Sequence, residues 1–201
     1  MDFGFRGFGD GAGAATQSHR QGRWRSRTSS PRGCRDDCVR KHLLRTQGAQ
    51  HVWIHPDGEH GKQFDFSRWL ERREFRKVST IGATAYGGVY EHSAGQTITV
   101  NPRSGLGDVV AEIGDYVISA ECKGGVINTR HSGQVSRLYK GLCETVGMLM
   151  ATPTQGRQVA VVPFTAGTLR LAERLAPRCA LAGIEIALVG SHGEVVDVKS
   201  P

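Results

Sequence analysis

The chain predicts an α/β fold, a mixed central sheet flanked by helices and preceded by a disordered segment. Three observations lead there. Residues 108–123 read as a β-hairpin with one wholly apolar face. From Ser132 onward, helical and strand periods alternate as helix, strand, helix, strand and a last short strand. The first fifty residues carry neither period.

Residues 1–50 are rich in Gly, Arg and Ser without apolar patterning, which predicts a disordered basic segment. Residues 51–201 then hold the folded domain. Phe66 to Val78 reads as a leading helix, with Ser67 as cap and Trp69, Leu70 and Phe75 at workable spacing. Residues 79–95 are small and glycine-rich, fit for a mobile loop or a short extra hairpin. Gln96 to Val100 is a strand by its β-branched alternation, bounded by Gly95 and Asn101-Pro102. The hairpin turns at Gly114-Asp115, where glycine supplies the positive φ of a type II′ turn. Val135, Leu138, Tyr139, Leu142, Val146 and Leu149 recur at helical spacing behind Ser132 as cap; Gly141 and Gly147 weaken that helix or let it pack closely. Gln158 to Pro163 is a buried strand. Thr165 caps a helix to about Leu175, which Pro177 then disturbs. Ile184 to Gly190 and Glu194 to Val198 are the closing strands.

In the hairpin, Val109, Ala111, Ile113, Tyr116, Ile118, Ala120 and Cys122 share the core face. The other face carries Asp108, Val110, Glu112, Val117, Ser119, Glu121 and Lys123. Counting out from the turn, Asp108 falls opposite Glu121 in a non-hydrogen-bonded pair, with Cα atoms about 4.5 Å apart. Like charges placed opposite destabilise a sheet and raise one another's pKa unless a positive charge lies between. A divalent cation such as Mg²⁺ (or Mn²⁺) compensates them, and Lys123 reaches the same spot. Two carboxylates, a metal and a lysine suit phosphodiester hydrolysis. The bland alternative is a solvated cross-strand charge cluster.

An Asp on one strand and Glu-x-Lys on the next resembles the PD-(D/E)XK nuclease superfamily, whose core is restriction-endonuclease-like. Here the residues are Asp108 and Glu121-Cys122-Lys123, with Gly107 where the family has proline; the resemblance covers approximately residues 96 to 190. It implies a leading helix, three strands, a helix and a strand, extended here by a C-terminal helix and strands. It implies a metal-dependent deoxyribonuclease in which Asp108 and Glu121 hold Mg²⁺ or Mn²⁺ and the Cys122 backbone carbonyl completes the metal shell. Lys123 then positions or activates water and stabilises the phosphate. A third acid on or near the leading helix is also implied; Glu71, Glu74 and Glu91 are the candidates, and the sequence does not choose. DNA is the implied partner, with Arg130, His131, Gln134 and Arg137 beside Lys140 in the loop and helix start that face it. Many such enzymes cut both strands as homodimers, although the sequence carries no dimer signal.

Residues 1–50 carry a net charge of +6 and the rest only +1, so the basic balance says little about a nucleic-acid groove on the folded part. No window approaches the roughly 18 apolar residues of a membrane span, and no secretory signal is apparent. Five scattered cysteines favour a reducing cytoplasm over a disulfide framework. Cys34, Cys38 and His42, with His51, His55 and His60, lack the spacing of a standard zinc finger. Two other readings compete: a nonenzymatic DNA-binding or accessory module on the same fold, and a doubly wound nucleotide-binding domain, which lacks a P-loop or dinucleotide glycine motif.

Overall fold

In the computed structural model, which describes residues 48–56, 64–103, 107–124, 131–153, 156–191 and 193–199, the hairpin lies near the middle of a nine-stranded mixed sheet. Along the chain these residues form β1 (His51–Ile54), α1 (Phe66–Glu71), β2 (Phe75–Thr80), β3 (Gly88–His92), β4 (Thr97–Val100), β5 (Val109–Ile113) and β6 (Tyr116–Cys122). There follow α2 (Ser132–Ala151), β7 (Gly156–Pro163), α3 (Ala166–Leu181), β8 (Ile184–Val189) and β9 (Val195–Val198). The strand order is β2-β3-β4-β1-β5-β6-β7-β8-β9. The expectations for the leading segment, for Cys34, Cys38, His42 and His60, and for Arg130 lie outside the described residues.

The hairpin has the register read from its sequence, with Ile113 paired to Tyr116 and Val109 to Ala120. Gly114 has φ of 56°, and Asp115 is not among the positive-φ residues, the combination a type II′ turn requires. Val109, Ala111, Ile113, Ile118, Ala120 and Cys122 are buried as expected. Tyr116 is not: its side chain is 44% exposed. This end of the face is charged, with Arg157 bridging Glu185 through two bonds of 2.7 and 2.6 Å and also hydrogen-bonding Tyr116.

The neighbour of the hairpin is a correction. The strand laddered to β5 is β1, antiparallel, while β4 lies one place further out, parallel to β1. The sequence reading places no strand at His51–Ile54. Yet Val52 and Ile54 enter the core while His51 and Trp53 stay on the opposite face, the period of two that marks a strand.

The leading helix is shorter than expected. Asp65, not Ser67, caps it, accepting from the Arg68 N–H at 3.0 Å; Ser67 instead bonds the Tyr90 hydroxyl. Glu74 then takes a left-handed φ of 65°, and the chain re-enters the sheet as β2. Residues 79–95 accordingly belong to a β2–β3 hairpin rather than a mobile loop. In α2 the cap is His131 instead of Ser132. Thr165 caps α3 through a reciprocal pair with Thr168, as its position predicts. That helix runs through Pro177 to Leu181. The carbonyl Pro177 leaves unbonded belongs to Glu173 on the exposed side, where water satisfies it.

Each sheet face has its own core. Phe66 and Leu70 of α1 cover one face with Val52, Ile54, Ile98, Val109, Ala120 and Val161. Helices α2 and α3 cover the other over β6 to β8, where Leu142, Leu149 and Ala172 meet Ala160, Val162 and Leu188. Among the described residues no helix is long and apolar enough to cross a membrane.

Candidate active site

The last laddered pair of the hairpin is Val109 and Ala120, so Asp108 and Glu121 take the next places. On the other side of β5, the His55 N–H donates to the Asp108 carbonyl at 2.8 Å, which carries β1 into the same row. Alternation puts His51, Trp53 and His55 on the face opposite Val52 and Ile54, the face of Val110 and Ser119. His55, Asp108 and Glu121 therefore stand abreast on three adjacent strands, each about 4.8 Å from the next. Lys123 follows Glu121 on the same face, where α2 packs.

The Asp108 Oδ2 accepts the Cys122 backbone N–H at 2.8 Å. The carboxylate thus stands where a continued β5 would have offered a carbonyl. Gly107 explains the departure: a Cβ there would lie 3.1 Å from the Ala120 carbonyl oxygen, so the backbone passes too close for a side chain, proline included. The Cys122 carbonyl projects to the same side as its N–H, toward Asp108, because N–H and C=O of one strand residue share an edge.

Glu121 is only 7% exposed. Burial and then the Asp108 charge push its carboxyl pKa up to about 7, against an opposing pull from Lys123. The two acids sense one another across the hairpin end, as the register requires.

Lys123 is held in the sheet by its N–H to Val161 O at 2.9 Å, but its ammonium does not sit between the two acids. It pairs with Glu144 of α2 at 2.8 Å. The lysine stem passes over Gly141, where an added Cβ would be 3.4 Å from Lys123 Cβ and Cγ. Gly141 is thus a close-packing glycine, the second of the two roles its sequence allowed.

Gln134, Arg137, Gly141 and Glu144 fall within about 80° of one another around the helix, so they share the side that meets Lys123. Gln134 is half-buried and Arg137 exposed. His131 is exposed at the helix start. These expected contacts do overlook the acid row. The three acids offered as a further ligand do not. Glu91 shares its row with Thr97, His51 and Glu112, four residues below Asp108 and three strands away, about 13 Å along and 14 Å across. Glu71 and Glu74 lie beside β2 at the sheet edge, where Glu74 faces His92 at 3.5 Å.

Sequence reasoning missed two neighbours. His55 was legible through the alternation of His51 to His55. Its Nδ1 lies 2.7 Å from the Arg103 carbonyl, which can only accept, so Nδ1 carries the proton and the neutral ring keeps its lone pair on Nε2. Glu144 was legible as the residue one turn beyond Gly141.

Among the described residues no three His, Cys, Asp or Glu side chains are grouped so as to hold a metal ion as they stand. Two acids and a backbone carbonyl still suit a hard cation that keeps several waters. The buried, proton-retaining Glu121 is the group that such a cation would compensate. No family model, curated protein or solved structure matches the chain.

Proposed function

We propose that the chain is a metal-dependent endonuclease that hydrolyses phosphodiester bonds in DNA, on the PD-(D/E)XK pattern of Asp108, Glu121 and Lys123. The observation that carries the reading is Glu121, buried beside Asp108 with its pKa pushed up to about 7. An acid couple of this kind is costly in a structural hairpin and useful around a cation. Asp108 and Glu121 hold Mg²⁺ or Mn²⁺, with the Cys122 carbonyl as third donor. When bound, the cation polarises the scissile phosphate and lowers the pKa of water.

The chain's own residues do the rest. Lys123 presents an ammonium to the charge that builds on the phosphate oxygens. Arg137 contacts the DNA backbone from the exposed side of α2, and Gln134 holds a water or phosphate oxygen. A homodimer would present two such sites to the two strands.

Conversion of supercoiled plasmid to nicked and linear forms with Mg²⁺ or Mn²⁺ tests this. Wild type should cut, while Asp108→Ala and Lys123→Ala should lose at least about a hundredfold. Full activity in both variants would overturn the assignment. The pairing of Lys123 with Glu144 favours a second reading, a nonenzymatic DNA-binding module. Its signature is tight DNA binding without cleavage by wild type under any divalent cation.

A further inference from the structure

We propose that Glu144 draws the Lys123 ammonium away from the Asp108–Glu121 couple and so keeps that couple open to a cation. The inference rests on the nuclease reading, because it concerns the cation site that reading assigns.

Lys123 has two possible counter-charges. One is the acid pair on its own face, with Glu121 two residues back on the same strand. The other is Glu144 on α2. Left to itself, a lysine beside two crowded carboxylates settles on them, because their repulsion makes them the stronger attractor. It would then occupy the place of the cation and form the inert charge cluster that a hairpin of this sequence could otherwise adopt. In the structure the ammonium is instead 2.8 Å from Glu144.

Two features of α2 produce that outcome. Gly141 is buried against the lysine stem, at a position where most helices carry a side chain. A large residue there would push the stem back over the sheet. Glu144 lies three residues on, on the same side of the helix, at the end of the path that Gly141 clears. As an exposed ion pair this contact adds little stability. Its effect is on where one positive charge sits. An ammonium has three N–H donors, so one bond to Glu144 leaves two that point at solvent or substrate.

Manganese affinity of the full chain, by calorimetry or by loss of the free-ion spin-resonance signal, gives a readout independent of cleavage. The set is wild type, Glu144→Gln, Lys123→Met and the double variant, with Glu173→Gln on the exposed side of α3 as an equal charge change elsewhere. Glu144→Gln should bind Mn²⁺ at least about tenfold more weakly, the scale on which a nearby opposite charge alters a carboxylate's proton affinity. Removing the lysine as well should restore wild-type affinity or better, and Glu144→Asp should retain most of it. Glu173→Gln should bind as wild type does. Wild-type affinity in Glu144→Gln overturns the proposal, and so does a double variant as weak as the single one. A wild-type chain that binds no Mn²⁺ removes the cation site itself, and with it both the nuclease reading and this proposal.

Discussion

Replacing Glu121 by Gln converts the central electrostatic feature of the site into a pH-dependent stability. In the folded chain the Glu121 pKa is raised from 4.5 to about 7. Between those values the native state holds a proton that the unfolded chain releases, so stability falls as pH rises. The contribution is fully present below about pH 4.5, declines through the interval, and is lost once pH passes 7. A shift of that size corresponds to about 3 kcal/mol. Glutamine has the shape of the protonated acid and does not titrate. Glu121→Gln should therefore match wild type near pH 4.5 and exceed it by up to about 3 kcal/mol at pH 8.5.

The assay is urea denaturation of both chains in EDTA from pH 4.5 to 8.5, taking their difference so that other titrating groups cancel. Mn²⁺ should reverse the order at pH 8. A cation at a hundredfold excess over its dissociation constant stabilises the native state by about 2.7 kcal/mol, and only wild type keeps both acids. A wild-type minus variant difference that stays flat across this range would falsify the claim that Glu121 carries a retained proton. A slope without a metal effect would keep the raised pKa and remove the cation.

Further outcomes are specific. Asp108→Asn keeps an acceptor for the Cys122 N–H, so it should fold within about 1 kcal/mol of wild type, by urea midpoint, yet fail to cut plasmid. Gly141→Ala should be tolerated or stabilising by up to about 1 kcal/mol, because its new Cβ meets Lys123 at ordinary contact distance; Gly141→Leu should displace the lysine and lower cleavage. Gln158 is buried and bonds the Leu149 and Thr152 carbonyls at the end of α2, so Gln158→Ala should cost about 1–3 kcal/mol in denaturation. Pro177→Ala should raise the melting temperature, since it restores an N–H inside α3 at an exposed position.

What could be read beforehand follows from where the determinants lie. The β5–β6 hairpin was legible because a two-residue glycine turn fixes its register locally, and with it the opposition of Asp108 to Glu121. The later helices and strands were legible because each has caps and an apolar period of its own. The placement of β1 was not: its pairing to β5 spans more than fifty residues, and neither the turn nor the β4 strand reveals it. Glu74 shows a different limit. Apolar spacing continued the first helix past it, but one left-handed residue redirected the chain into β2. The further acids failed as candidates because their side of the sheet is set by β2 and β3, whose place at the far edge only the long-range pairing decides.

The same division bears on the chemistry. The hairpin alone supplies two acids and a lysine, and by itself that trio is satisfied internally, with the ammonium neutralising the carboxylates. Only α2, a separate element arriving through a long connection, offers Lys123 another partner. A slot at Gly141 and a carboxylate at Glu144 therefore turn a self-compensated motif into one with an unmet need for positive charge. Glu121 records that need in its retained proton. On this account the motif is necessary but not sufficient. A chain with the same hairpin, but with a bulky residue at the position of Gly141 or a neutral one at that of Glu144, should show a Glu121 that titrates lower and a hairpin end that ignores divalent cations.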